Sequence, residues 1–176
     1  MRAQKYLLVL CMFILIGFFS TGVANAAPDM SQWVGKWFSY SVTLKGIEFD
    51  GASFRKGGSK ESGFFKIWDW DGENFQIDAY HLDGGVWESD AQTLRFFAGN
   101  DLAFLFVLQN EGEGFAFAGL MQGKVSKGVL SGATMTTYGG LVVNAEDNDF
   151  EVGSITLTGK MIDSSKVKVP PAVVLH

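Results

Sequence analysis

Between Asp29 and Val169 the chain contains no proline and no cysteine, while glycine recurs every few residues among short aromatic and β-branched runs. Proline would remove backbone donors from a central strand, and glycine supplies the positive φ angles that hairpin turns require. Many short strands joined by tight turns need this combination. The sequence therefore predicts an all-β fold, and it excludes disulfide bonds and thiolate chemistry from this region.

The first 26 residues have the three parts of a secretory signal peptide. Arg2 and Lys5 form a positive start, residues 6–19 are almost wholly apolar, and residues 23–26 end in the small-x-small pattern that a signal peptidase accepts. The apolar run has 14 residues, fewer than the ~20 that a spanning helix needs. We predict cleavage after Ala26, which removes Cys11 and leaves an exported protein, periplasmic or secreted, with no stable membrane span.

Residues 27–176 carry 12 basic and 19 acidic side chains, a net charge of −7. Nucleic acids and anionic lipid surfaces repel such a chain at long range, so we expect neither as a partner. Two histidines without a cysteine predict no metal site, and no motif predicts another cofactor. A chain of this length supports one core, which predicts a single barrel domain over residues 27–165 and a flexible tail over residues 166–176.

Alternation of apolar and polar residues marks the strands, most clearly over residues 37–45 and 155–162. Asp71-Gly72 between two aromatic runs is the strongest hairpin signal. Residues 46–62 show little periodicity and predict a long mobile loop with a short strand at residues 47–49. The marked runs amount to eight to nine strands in a meander, which predicts an antiparallel up-and-down barrel.

The opening of the first strand carries a family resemblance. Gly35-Lys36-Trp37 resembles the Gly-x-Trp opening of lipocalins and related calycin barrels. In that family the tryptophan closes the floor of the barrel, and a basic residue of the last strand packs across it. The resemblance implies that Trp37 and Lys160 close one end of this barrel, and that the barrel holds a pocket for a small apolar molecule.

Eight antiparallel strands enclose an interior just wide enough for side chains or for one small ligand. The chain has 16 phenylalanines and five tryptophans, and small residues at several inward positions would leave space opposite them. We predict non-covalent binding of a small hydrophobic molecule, with the alternative that aromatic side chains fill the barrel completely. Strand parity gives the candidate ligand contacts as Tyr40, Phe65, Phe104, Phe106, Phe117 and Met121.

Two further hypotheses come from other residues. Alternation places Trp68 and Trp70 on one face, and together with Trp87 they would form an aromatic platform for a non-catalytic module of the cell envelope, structural or carbohydrate-contacting. His81, the one internal histidine, could serve a small isomerase or hydrolase. No nucleophile motif accompanies it, so the sequence identifies no catalytic residue and favours a protein without enzymatic activity.

An outer-membrane barrel is a separate hypothesis for a secreted meander of this size. Such barrels need strands of about 9–11 residues and an unbroken lipid-facing apolar band. Few of the marked runs reach that length, and we rank this hypothesis third.

Overall fold

A computed structural model describes residues 28–50, 53–110, 115–144 and 149–176. The predicted signal peptide over residues 1–26, with Cys11, lies outside the described residues, and its removal stays a prediction. Residues 51 and 52 of the predicted loop also lie outside them. Within the described ranges, no helix has the length and apolar character needed to cross a membrane.

The described chain consists of nine strands and two short 3-10 helices. The strands are β1 (Trp37–Asp50), β2 (Phe54–Gly57), β3 (Lys60–Trp70), β4 (Asn74–Asp83), β5 (Val86–Gly99), β6 (Ala103–Asn110), β7 (Phe115–Ser126), β8 (Val129–Asn144) and β9 (Asp149–Ile162), and the 3-10 helices are Ser31–Trp33 and Ser164–Lys166. The prediction of an all-β fold is confirmed.

Eight of these strands close into an antiparallel up-and-down barrel. β3 to β8 each pair with the next strand along the chain, and β1 pairs with both β3 and β9. The β1–β9 ladder covers both strands completely, from Trp37 opposite Ile162 to Asp50 opposite Asp149. β2 is an additional strand that pairs with residues 46–49 of β1, beyond the part of β1 that pairs with β3. The predicted barrel and its strand count are confirmed.

The strands are longer than the alternation pattern indicates. This corrects the predicted loop over residues 46–62 and the expectation that few strands reach the length found in outer-membrane barrels. Residues 46–50 continue β1, and most of the remaining predicted loop belongs to β2 and the start of β3. Seven of the eight closing strands have ten residues or more. Alternation does not mark residues 46–47, because Ile47 is 52% exposed and has no buried face. Pairing with β9 nevertheless satisfies the backbone hydrogen bonds of this part of β1.

Turn chemistry at two hairpins explains how neighbouring strands find their register. The carboxylate of Asp71 accepts hydrogen bonds from the backbone N–H groups of Glu73 and Asn74, at 2.9 and 2.7 Å. These bonds lower the pKa of Asp71 and hold the predicted β3–β4 turn. Gly84 and Gly85 both have positive φ, 55° and 89°, as a two-residue turn between paired Asp83 and Val86 requires.

One end of the barrel is closed by an aromatic cluster around Trp33, which the first 3-10 helix places inside. Its ring is fully buried, stacks on Phe38 and meets Phe104 edge-on with ring centroids 5.1 Å apart. Its indole Nε1 donates to the backbone carbonyl of Asp101 at 2.7 Å. The buried core therefore begins at this end and extends along the inward faces of the strands.

Candidate ligand-binding cavity

The inward face of each strand follows from its buried positions. On β1 the residues of even number, from Phe38 to Leu44, belong to the core or pack against it, and on β4 the inward row is Phe75, Ile77, Ala79 and His81. Phe75 contacts Phe104 in the closed end, with ring centroids 5.1 Å apart. The β4 row therefore runs from the closed end at Phe75 to the open end at His81.

Above the aromatic cluster the barrel encloses a cavity of about 520 Å³. This volume lies within the range of small-molecule sites, roughly 300–1,000 Å³. Its walls are mainly apolar and come from all eight closing strands; representative side chains are Val42, Ile77, Phe106, Leu108, Met135 and Leu157. The aromatic side chains thus do not fill the barrel completely, and a cavity remains beyond the closed end.

The structure brings four of the six predicted contact residues to this cavity. Tyr40, Phe65, Phe106 and Phe117 line it. Phe104 and Met121 also point inward and are buried, but they lie in the core below the cavity and do not line it. Ligand contact by the four lining residues stays a prediction.

A polar wall, formed by β4 and β5, runs up to the mouth of the cavity. His81 lies opposite Glu88 in the ladder, and Asp90 is the next inward residue of β5. His81 Nε2 is 3.6 Å from the Glu88 carboxylate, and His81 Nδ1 is 3.8 Å from the Asp90 carboxylate. Both distances exceed that of a hydrogen bond, so the three side chains remain able to bind another group.

Glu88 and Asp90 were not among the residues predicted to line the cavity. They carry the same parity as buried Leu94, which pairs with Phe75, so alternation along one uninterrupted β5 would have placed them inside. The sequence pattern did not indicate one continuous β5, because polar residues at inward positions resemble a loop.

Tyr40 couples the apolar and the polar parts of the cavity. Burial, followed by the negative charges of Glu61 and Asp90, raises the pKa of Tyr40 to about 12. The phenol therefore stays neutral at physiological pH, and it can donate a hydrogen bond inside the cavity.

We expect this raised pKa to make the protein less stable in alkali. Because the folded-state pKa lies above the ordinary value of 10.0, folding favours the protonated phenol. The stabilisation is complete below pH 10 and is lost as the pH rises towards 12, about 2 kcal/mol in all. Urea unfolding between pH 9 and 11.5 measures it. Tyr40→Phe should flatten most of this dependence, and an unchanged slope in that variant would contradict the assignment.

The two residues assigned to barrel closure lie on the outer face. Trp37 is half-buried outside β1, with its ring 5.5 Å from that of Tyr80 and the Lys66 ammonium 5.8 Å from its centroid. Lys160 is exposed on β9, opposite Ser39. Trp37 is adjacent in sequence to inward-facing Phe38, so its side chain points to the other side of the sheet. Trp33 fills the place that the resemblance gives to Trp37.

The three tryptophans of the proposed platform do not share a surface. A β-bulge between Ile67 and Asp69 inserts an extra residue at Trp68 and changes the parity of β3. Trp68 follows inward Ile67 and points outward, with its ring 4.1 Å from that of His176, whereas beyond the bulge Trp70 packs inward on Phe75 and Phe96. The expectation of one face for Trp68 and Trp70 is therefore wrong.

Further chemistry at the cavity is limited in the described part of the chain. No group of three or more histidine, cysteine, aspartate or glutamate side chains there has the arrangement of a metal site. The described lining residues also include no serine, threonine, cysteine or lysine that His81 could activate. The hypothesis of an enzyme centred on His81 stays a prediction.

Comparisons with known proteins add little to this geometry. No protein-family model matches the sequence, and no curated protein matches it. Among solved structures, the chain is similar to the crystal structure of Ail, the attachment invasion locus protein of Yersinia pestis, at 11% identity and a TM-score of 0.36. That match covers 73% of this chain and 98% of the Ail chain. A likeness this weak adds nothing to the barrel topology that strand pairing establishes directly.

Proposed function

We propose that this protein is an exported barrel that binds a small hydrophobic molecule non-covalently in its cavity. The observation that carries the proposal is the hollow, mainly apolar half of a closed barrel, next to a well-packed aromatic end. Burying roughly 200 Å² of apolar ligand surface would contribute about 5 kcal/mol before the costs of association. The proposed export rests on the signal sequence.

Part of the outer surface has the polar character of a barrel wall that faces water. Over residues 39–45 of β1 and 156–160 of β9 the outward residues are polar: Ser39, Ser41, Thr43, Lys45, Thr156, Thr158 and Lys160. A transmembrane barrel places apolar side chains at such positions and polar ones inside. Here the apolar row of β1, from Phe38 to Leu44, faces inward instead.

Filling the cavity should weaken ligand binding. In Leu157→Trp the larger ring would occupy space that a ligand needs, so we expect at least a tenfold loss of affinity for the neutral dye N-phenyl-1-naphthylamine. Dye fluorescence during titration measures this. Met121→Leu is the matched control, because Met121 is buried outside the cavity and the exchange nearly conserves volume. No binding by the unaltered protein, or equal binding by Leu157→Trp, would contradict the proposal.

A second candidate function is a non-catalytic module of the cell envelope. Apolar side chains cluster on the outer face of β6, β7 and β8, where Leu105 lies opposite Leu120 and Ala118 lies opposite Tyr138. Leu105 is 46% exposed and Tyr138 73%. Contiguous exposed apolar side chains often mark an interaction surface. The test is cosedimentation of the protein with isolated envelope fractions. Loss of cosedimentation in Leu105→Lys, with dye binding unchanged, would favour this candidate.

A further inference from the structure

The polar residues of the cavity are concentrated on one wall. His81, Glu88, Asp90 and Gln92 follow one another on neighbouring inward positions of β4 and β5. The facing side and the floor are apolar, with Phe65 among their residues. The cavity is therefore amphipathic across its width, with a polar wall on β4 and β5 and mainly apolar side chains elsewhere.

The fixed charges of this wall have one sign. Glu61, Glu88 and Asp90 line the cavity, and no lysine or arginine occurs among its described lining residues. The side chains of Glu88 and Asp90 are 55% and 53% exposed, so a ligand can reach them from the mouth. The imidazole of His81 lies 3.6 and 3.8 Å from them, too far for a hydrogen bond. Both carboxylates therefore retain acceptor capacity for a hydrogen-bond donor.

We propose that the molecule held in the cavity is a cationic amphiphile, with an ammonium group against Glu88 and Asp90 and an apolar body among Phe65, Phe106 and Met135. This inference rests on the proposed function and names its ligand class. An ammonium group would gain charge-assisted hydrogen bonds from the two carboxylates. A carboxylate head group would be repelled by them, and the acidic net charge of the chain acts in the same direction at long range.

Matched single-chain ligands separate the contribution of the head group from that of the apolar body. Dodecylamine, dodecanol and dodecanoate share one chain length, and displacement of N-phenyl-1-naphthylamine below their micellar concentrations gives their relative affinities. We expect the amine to bind about five- to tenfold more tightly than the alcohol, and the carboxylate to bind most weakly. Because the mouth is solvated, this preference should shrink as salt is raised.

The variant Glu88→Gln with Asp90→Asn should remove the preference for the amine and leave alcohol binding unchanged. Asp69→Asn with Asp83→Asn is the matched control, since it removes the same charge from exposed positions outside the cavity. Equal binding of amine and alcohol by the unaltered protein, or a preference that survives in Glu88→Gln with Asp90→Asn, would overturn the inference while leaving the proposed function intact. Failure of all three ligands and of the dye would overturn both.

Discussion

Replacing Trp33 by alanine is expected to lower the free energy of unfolding by about 3–5 kcal/mol. The indole is 0% exposed and is held between Phe38 and Phe104. Its removal would leave a large void at the closed end of the barrel and would also remove one of the two hydrogen bonds that the Asp101 carbonyl accepts, the other coming from Gln32 Nε2. Since a domain of this size has a total stability of only 5–15 kcal/mol, the loss would be large. Urea unfolding followed by circular dichroism measures it.

Two controls separate packing from other causes. Trp33→Phe keeps an aromatic ring at the site and loses the hydrogen bond to Asp101, so we expect about 1–2 kcal/mol. Trp37→Ala removes a tryptophan that is half-buried on the outer face, and we expect about 1 kcal/mol. If Trp37→Ala cost more than Trp33→Ala, the residue of the Gly-x-Trp motif would close the barrel after all, and the placement of Trp33 would be contradicted.

The barrel topology was predictable because its signals are local. Alternation over residues 37–45 and 155–162 identified the two strands that close the sheet, and Asp71-Gly72 identified a hairpin. The outer halves of β1 and β9 were not predictable in this way. Their backbones pair over the full length of the ladder, although the exposed side chain of Ile47 imposes no buried face on the pattern.

The candidate site was predictable only in part. The alternation of a strand shows which face of the sheet a side chain occupies, but not how deep in the barrel it lies. Phe106 and Phe104 share the inward face of β6, yet only Phe106 lies at the level of the cavity. Depth depends on how far Trp33 enters the barrel, which involves a contact with Asp101, 68 residues away. A bulge has a similar effect at Trp68, since one inserted residue exchanged the faces expected for the residues around it.

The polar wall was missed for a different physical reason. Burial of charged groups is normally costly, so an inward Glu or Asp is not expected from sequence. Here Glu88 and Asp90 are tolerated because they lie near the mouth and keep more than half of their side-chain surface in solvent. An acidic residue at inward parity near the end of a barrel strand is therefore a usable signal for a site, provided that the strand is recognised as continuous.

The second large effect is expected at the outer face of β3 and β4, where the last residues of the sequence pack. Asp78 is 0% exposed, and its Oδ2 atom accepts a hydrogen bond from the Tyr80 hydroxyl and lies 2.9 Å from His176 Nδ1. Its Oδ1 atom has no hydrogen-bond partner in the described part of the chain. The Leu175 N–H donates to the Tyr80 hydroxyl, and Lys66 Nζ donates to the His176 carbonyl. The flexibility predicted for residues 166–176 stays a prediction, and these contacts give it a test.

His176→Ala is expected to cost about 2–3 kcal/mol of unfolding free energy. The substitution removes the imidazole that faces a buried carboxylate, and an uncompensated buried charge is strongly destabilising, although the half-exposed site admits some water. Trp68 would also lose its stacked partner, so its fluorescence should change in the same variant. Asp78→Asn is the matched background: with the charge removed, His176→Ala should cost much less there, and urea unfolding of the four proteins gives the coupling energy. An equal cost in both backgrounds would show that stacking on Trp68 holds the tail, and no cost in either would show that residues 166–176 move freely.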